Sequence, residues 1–374
     1  MMGTEAGGTE AGGIEAGALA RLTIDLGAVA ANWRAVCAAH PTGAVAGVVK
    51  ADAYGLGAGA VAGALFAAGC RHFFVAQLAE AVAIRPMVQG AMLAVLNGLP
   101  VGSAAVFSAH GILPVLGTPG EIERWGQWGR RLGRVLPALL HVDTGMSRLG
   151  LDAGQLATLA GDPGRLGGID FRYVMTHLVA SEVADDPMNV AQRVRFAAAC
   201  AALPAMPRSF ANSSGIFLGG AYASDLARPG AALYGINPTP GRPNPMRPVV
   251  RLAARVLALH DVPAGQSVGY NSTFTAARPS RIATLGVGYA DGWLRSHSGR
   301  GYAIFDGAML PLVGRVSMDL TTFDATDAPG LREGDWLELI GPDRPVDDVA
   351  DAAGTNGYEV LTSLGRRYHR SYVR

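Results

Sequence analysis

The sequence is poor in cysteine and in charged residues, and each shortage argues against a class of protein. Only three cysteines, Cys37, Cys70 and Cys200, occur in 374 residues, and no two of them form a Cys-x-x-Cys pair. Neither a disulfide framework nor a zinc site is predicted, and a reducing cytoplasm fits best. Charged residues make up 16% of the chain, with 31 basic against 30 acidic side chains. This balance predicts no nucleic-acid partner.

Long apolar runs are also missing. None approaches the roughly 18 uninterrupted residues that a membrane-spanning helix needs, so no membrane partner is predicted. Residues 1–20 repeat the letters TEAGG and contain several glutamates. They have no basic segment leading into an apolar core, which predicts a disordered tail rather than a secretion signal.

Between Leu22 and Pro248 short apolar runs alternate with longer alanine-rich stretches of helical character. This alternation is typical of βα units and predicts an α/β fold, an N-terminal (β/α)8 TIM-type barrel over residues 21–248. A doubly wound sheet would give the same rhythm, but no G-x-G-x-x-G follows the first strand. The predicted strands are Ala44–Val49, Phe73–Ala76, Met92–Leu96, Leu136–Val142, Tyr173–Met175, Ser209–Ala211 and Ala232–Tyr234.

A second, smaller and mainly β domain is predicted for residues 249–374. The proline-rich segment Gly241–Pro248 reads as a linker. Beyond it strands alternate with tight turns, including the Asp306-Gly307 hairpin. The segment Val346–Leu364 has helical character.

Lys50 is the first candidate for chemistry. It follows the apolar run AVAGVV and precedes the glycine-containing loop ADAYGLG. Strand ends carry the chemistry in barrels of this kind, and desolvation there lowers the pKa of a lysine amine. Such an amine can attack a carbonyl cofactor, and a glycine loop can approach a phosphate closely. A solvated lysine at a strand end is the alternative interpretation. The motifs elsewhere in the chain distinguish between the two.

Further segments follow other predicted strands or lie in the second domain. Those of the first domain are KADAYGLG from Lys50, HVDTGMSRLG from His141, THL from Thr176, ANSSG from Ala211 and RPGA from Arg228. Those of the second are VGYN from Val268, GYADG from Gly288, GRVSMD from Gly314 and GTNGYE from Gly354. In order and spacing, over roughly residues 21 to 374, they resemble the motifs of the alanine racemase family.

The resemblance implies pyridoxal phosphate (PLP) bound as a Schiff base to Lys50, and interconversion of L-alanine and D-alanine. Lys50 would be one catalytic base, and Tyr270 of the partner subunit in a homodimer would be the other. Two bases on opposite faces of a planar carbon allow inversion, and each contributes about 10²- to 10⁴-fold. The product would supply cell-wall synthesis, or the reaction would serve alanine catabolism.

The resemblance also implies a set of cofactor and substrate contacts. Arg228 would face the pyridine nitrogen, His177 would lie against Tyr270, and Asn212 would support the site. The residues expected at the phosphate are Tyr54, Ser213, Tyr358, Gly230 and Ala231, the last two through their amides. Arg148 would contact the phenolic oxygen of PLP and lie close to the substrate carboxylate, which the Met318 amide would also bind.

His141 departs from a common pattern of the family. Many relatives carry a carbamylated lysine there, whose negative charge orients the arginine numbered Arg148 in this chain. A neutral imidazole cannot supply that charge, so a bound anion or another acceptor is expected to restrain Arg148. Added bicarbonate should then leave activity unchanged.

Three other functions compete with this interpretation. A PLP-dependent decarboxylase of the same architecture would need an acid opposite the pyridine nitrogen, where the resemblance puts Arg228. A PLP carrier built from the barrel alone would leave the second domain without a purpose. A racemase of broader or serine specificity stays open, because a hydroxyl is hard for an apolar pocket to exclude.

Overall fold

The computed structural model describes residues 17–374, which divide into two compact units. One unit is Val29–Arg247, and the other joins Pro248–Arg374 to the chain before Val29. The tail predicted for residues 1–20 falls, up to residue 16, outside the described residues. Residues 21–28, assigned above to the barrel, group with the second unit because Ala20–Asp25 is a strand of its sheet.

A closed ring of parallel strands forms the barrel. Ala44–Val45 pairs with Leu226–Ala227, whereas Gly47–Val48 pairs with His72–Val75. Because only Ala46 separates the two short segments, they act as one strand and close the sheet into eight strands, which confirms the predicted fold class. The segments are Ala44–Val45, Gly47–Val48, His72–Val75, Met92–Val95, Leu113–Leu116, Leu136–His141, Ile169–Met175, Arg208–Ser209 and Leu226–Ala227.

Side chains from alternate strand positions make a buried barrel core. Phe74, Leu139 and Met175 belong to one cluster with the smaller Ala46 and Ala94. Burial of a large apolar side chain contributes about 1.5–3 kcal/mol, so this cluster holds the strands in register.

Several of the helices that follow these strands begin at capping residues. Thr118 accepts a hydrogen bond from the Glu121 amide, and Asp152 and Gln155 form a reciprocal capping box. The helices are Leu26–Ala39, Ala58–Ala67, Leu78–Ile84, Ala104–His110, Pro119–Leu132, Ala153–Gly161, Pro187–Ala202 and the short Ser213–Ile216. The 3₁₀ segments are Arg85–Val88, Pro163–Leu166, Gly220–Tyr222 and Ala231–Tyr234.

Two strand assignments differ from the prediction. Ala232–Tyr234 is not a strand but part of a 3₁₀ helix, and the eighth strand is Leu226–Ala227. A short buried apolar run has no periodicity that separates strand from helix, which explains the error. Leu113–Leu116 was not predicted, and it contains Pro114, a residue rare inside sheets.

The second unit is an eight-stranded sheet with a separate small hairpin. Its long strand Val250–Val262 pairs antiparallel with Ala20–Asp25, Trp336–Ile340 and Ser280–Leu285. The other strands are Tyr302–Phe305, Ala308–Val313, Thr321–Asp324 and His369–Val373, and the hairpin pairs Ser267–Val268 with Phe274–Thr275. This mainly β character is as predicted.

Turns and two helices complete the second unit. Asp306 and Gly307 both have positive φ, at 47° and 79°, as the predicted tight hairpin requires. The helices are Val346–Ala353 and Gly357–Ser363, and the 3₁₀ segments are Tyr270–Ser272, Tyr289–Asp291 and Arg295–His297. Within residues 17–374 no helix is long and apolar enough to cross a lipid bilayer.

Candidate active site

Four predicted residues lie at the carboxyl ends of barrel strands. Lys50 follows Gly47–Val48, His141 ends Leu136–His141, His177 follows Ile169–Met175 and Arg228 follows Leu226–Ala227. Since the strands are parallel, their carboxyl ends share one rim of the barrel. The structure therefore brings these residues together, with Arg148 in the turn after the His141 strand.

The surroundings of the Lys50 amine lower its pKa, and so favour its neutral form more than water does. Burial lowers its pKa, the positive charge of Arg148 lowers it further, and the carboxylate of Glu80 opposes both. A neutral amine has the free electron pair that attack on a carbonyl requires. The environment therefore suits a nucleophile better than a structural ion pair.

His141 and His177 are neutral at physiological pH. Burial, then the charges of Arg228 and Arg148, lower the pKa of His177 to about 3. Burial and Arg228 likewise lower the pKa of His141 to about 4. His141 thus brings no negative charge to Arg148, as its sequence position predicted.

These depressed pKa values predict a loss of stability in acid. The folded-state pKa values of His177, His141 and His297 are about 3, 4 and 4. Because an unfolded histidine titrates near ~6.5, the unfolded state takes up protons first. The stabilisation is present above ~6.5 and is lost as the pH falls toward the folded values, by up to about 1.4 kcal/mol per unit and histidine.

Urea unfolding between pH ~7 and ~5, in buffers free of halide, measures this loss. His297→Phe should make the stability less dependent on pH, because phenylalanine keeps the ring but takes up no proton. His110→Phe replaces an exposed histidine and is the matched control. The same pH dependence in both variants and in the wild type would contradict the prediction.

Arg228 is a buried cation with fixed donors. It is 5% exposed, and its Nη1 and Nη2 donate to Ser209 Oγ and the Thr176 carbonyl, each at 2.5 Å. Burial lowers its pKa to about 10, so it stays charged at neutral pH. Within residues 17–374 no carboxylate forms an ion pair with it. The positive charge of Arg228 is therefore available to a ligand bound at this rim of the barrel.

Tyr54, Ser213 and Gly230 meet in one corner of the rim. A Cβ on Gly230 would stand 2.2 Å from Tyr54 Oη, so only glycine fits there. Ser213 Oγ accepts the Gly230 amide at 3.0 Å, and Asn212 caps the helix that Ser213 begins. The Gly230 amide, which was predicted to bind a phosphate, thus donates its hydrogen bond to Ser213 in this structure. Ala231 opens a 3₁₀ helix, where an amide has no acceptor within the helix.

The segment after Lys50 has an uncommon backbone. Ala51, Asp52, Ala53 and Tyr54 all have φ between 53° and 57°. A left-handed turn of non-glycine residues costs about 1–2 kcal/mol per residue. The surrounding structure must therefore hold it in place.

Glu80 supplies much of that restraint. One carboxylate oxygen accepts the Ala51 amide at 2.7 Å, and the other accepts the amides of Ala76 and Gln77 at 2.8 and 3.0 Å. Glu80 therefore ties the Lys50 loop to the end of the neighbouring strand. Glu80 was not predicted as a site residue, although its position three residues after Gln77 fits a capping box.

Replacement of Glu80 by glutamine should weaken this connection. Glutamine has one oxygen in place of two, so at least one exposed or part-buried backbone amide loses its acceptor, at a cost of about 0.5–1.5 kcal/mol. Loss of the negative charge should also lower the pKa of Lys50. Urea unfolding compares Glu80→Gln with Glu123→Gln, a control at an exposed helix position. Equal small losses in the two variants would argue against the role of Glu80.

The turn that carries Arg148 is built by Asp143. Its carboxylate accepts the amides of Gly145, Met146 and Ser147 at 2.9 to 3.0 Å. Burial raises the pKa of Asp143, but these hydrogen bonds outweigh it and the pKa is lowered. Arg148 is exposed, and its charge acts on Lys50 and on His177.

The remaining predicted residues belong to the second unit. Tyr270 begins a 3₁₀ segment and is 67% exposed, while Met318 is 54% exposed. Tyr358 is half-buried in the helix Gly357–Ser363. The loop at Met318 is closely packed, since its carbonyl lies 2.4 Å from where a Cβ on Gly288 would be.

Two family models match consecutive parts of the sequence. The description "Alanine racemase, N-terminal domain" matches residues 24–238, and "Alanine racemase, C-terminal domain" matches residues 249–372. The chain belongs to the alanine racemase family. The predicted resemblance is confirmed over both parts.

Relatives in the alanine racemase family cover nearly the whole chain. An alanine racemase of Acidiphilium cryptum is 56% identical over 93% of this chain and 97% of its own length. A catabolic alanine racemase of Mesorhizobium japonicum is 50% identical over 94% of this chain and 93% of its own.

Solved structures of alanine racemases have the same fold. That of Bartonella henselae, with covalently bound pyridoxal phosphate, has a TM-score of 0.92 and 43% identity over 95% of this chain and all of its own. The biosynthetic enzyme of Pseudomonas aeruginosa has a TM-score of 0.89 and 32% identity, and covers 96% of this chain and all of its own.

Proposed function

We propose that this chain is an alanine racemase that carries PLP on Lys50. The observation that carries the proposal is a nucleophilic amine at the barrel rim, surrounded by the charges and donors that PLP and an amino-acid carboxylate need. Lys50 is also the only lysine in the sequence. A covalent PLP enzyme of this sequence can use no other lysine amine.

The residues at the rim fit the cofactor. The close approach of Tyr54 Oη to Gly230 leaves a corner of hydroxyl and amide donors, which suits a phosphate dianion. Tyr54, Ser213 and Ala231 would hold the phosphate with Tyr358 and Gly230, and Asn212 would keep Ser213 in place. For Gly230 this requires its amide to leave Ser213. When bound, PLP withdraws electrons from the substrate Cα and so acidifies its proton.

Arg228 and Arg148 are the two cations proposed to contact the cofactor ring and the substrate carboxylate. Arg228 would hold the ring nitrogen, and because a guanidinium cannot accept a proton, it would offer a hydrogen bond and no acidic partner. Arg148 would bind the ring oxygen and the substrate carboxylate, and the Met318 amide would bind that carboxylate too. With neutral imidazoles, His141 and His177 add no competing cation.

Two bases on opposite faces explain racemisation. Lys50 Nζ removes or returns the Cα proton on one face, and Tyr270 of the partner subunit does so on the other. The high exposure of Tyr270 within one chain supports a role toward a second copy. A homodimer with shared sites is therefore part of the proposal. A cytoplasmic location is also proposed, supported by three free cysteines.

The direct test is incubation of the purified protein with PLP and L-alanine. Formation of D-alanine, and of L-alanine from the D enantiomer, is the expected result. Release of carbon dioxide would replace the proposal with a decarboxylase, and turnover of serine alone would replace its substrate. No turnover of either amino acid, despite bound PLP, would overturn it.

A further inference from the structure

We propose that the second unit contains a buried binding site for a small monovalent anion of the halide class, formed by Arg344, His297 and Trp293. This site lies within the second unit and is independent of the proposed racemase activity. The three side chains are each 1% exposed. A charged group so deeply buried needs a compensating charge.

The three side chains form one aromatic and cationic cluster. The rings of Trp293 and His297 are stacked, with centroids 4.3 Å apart and planes at 15°. The Arg344 guanidinium lies 5.5 Å from the centroid of the Trp293 ring and 4.7 Å from that of Tyr302. The faces of aromatic rings attract a cation. They do not, however, accept the hydrogen bonds that the guanidinium N–H groups donate in their own plane.

Most polar atoms of the cluster have no protein partner. Arg344 Nη1 donates to the Tyr302 carbonyl. Arg344 Nε and Nη2, Trp293 Nε1 and both ring nitrogens of His297 are buried without a hydrogen bond. No carboxylate forms an ion pair with Arg344 in the part of the chain that the structure describes. Asp348 acts on the Arg344 charge from an exposed position.

The chemistry of the cluster selects an anion. Arg344 and Trp293 offer only N–H donors, and a neutral imidazole adds one donor and one acceptor, so donor atoms outnumber acceptors. A water molecule accepts about two hydrogen bonds and has no charge. It therefore cannot pair all the N–H donors, and it cannot balance the positive charge of Arg344. A monovalent anion accepts several hydrogen bonds and also balances this charge.

The backbone around the cluster restricts the size of the anion. Arg344 sits in a turn closed by mutual hydrogen bonds with Gly341, and His297 ends the 3₁₀ segment Arg295–His297. A Cβ on Gly301 would lie 2.7 Å from Arg344 Nη2, so the guanidinium packs directly against glycine backbone. Backbone therefore encloses the guanidinium on this side, and for this reason the proposed anion is an atomic ion.

Crystals of the full chain soaked in bromide test the site directly. An anomalous peak within hydrogen-bond distance of Arg344 Nε or Nη2 is expected, and it should vanish in Arg344→Met crystals. A water molecule, or ordered protein acceptors at these atoms, would overturn the proposal. So would bromide peaks confined to exposed arginines.

Thermal unfolding in solution gives a second readout. Raising chloride from about 1 to about 200 mM, with gluconate keeping the ionic strength constant, should raise Tm by about 2–4 °C. His297→Phe keeps the stacked ring and should reduce this rise, and Arg344→Met should abolish it. Arg332→Met, at an exposed position, should retain it. An equal rise in all four proteins would overturn the proposal.

Discussion

Lys50→Ala should abolish racemisation of alanine, lowering the rate by at least about 10⁴-fold, because it removes both the point of cofactor attachment and one of the two bases. The fold should survive, since Lys50 forms no ion pair among the described residues and lies at the rim. D-alanine formation from L-alanine measures the activity. Visible absorbance of the purified protein measures bound PLP.

Because the chain contains a single lysine, PLP attached to a lysine side chain can be assigned to Lys50. Borohydride reduction in the presence of PLP should fix one cofactor to Lys50 in the wild type and none to any side chain of Lys50→Ala. Lys50→Arg is the matched control, because it keeps the positive charge but has no primary amine. It should be as inactive as Lys50→Ala. Substantial racemisation by either variant would contradict the assignment of Lys50.

The barrel rim could be predicted from the sequence because two strong signals coincide there. Apolar strands end at polar motifs, and parallel strands place all such ends on one rim. Lys50, His141, His177 and Arg228 could therefore be grouped from the sequence, and the lowered pKa of Lys50 follows from its place at the rim. The lowered pKa values of His141, His177 and Arg228 could not be predicted, because these depend on burial and on the distances between charges.

Other features depend on contacts that no local pattern encodes. Ala20–Asp25 precedes the barrel in the chain, yet it pairs with Val250–Val262 and His369–Val373, which lie more than two hundred residues away. Glu80 is a helix-capping residue by its spacing, and only the structure shows that it also holds the Ala51 amide. The left-handed turn at Ala51–Tyr54 contradicts the local preference of alanine and tyrosine. Such exceptions are expected where function constrains the backbone.

Tyr270→Phe should lower racemisation by about 10³- to 10⁴-fold, because phenylalanine keeps the ring but cannot exchange a proton. Deuterium exchange at Cα distinguishes this loss from misfolding. If Lys50 serves one enantiomer and Tyr270 the other, exchange should persist for one enantiomer and fail for the other. Equal loss of exchange from both would contradict separate bases. Tyr372→Phe, at another exposed tyrosine, is the control.

A mixture of two inactive variants tests whether the site is shared between subunits. In a dimer of Lys50→Ala with Tyr270→Phe, a shared arrangement gives one site with both substitutions and one site with neither. Random assembly after co-refolding makes about half of the dimers mixed, so activity should recover to roughly a quarter of the wild-type rate. If Lys50 and Tyr270 of the same chain worked together, every site would carry one substitution. The mixture would then stay as inactive as its components, and the proposed homodimer with partner-supplied Tyr270 would be wrong.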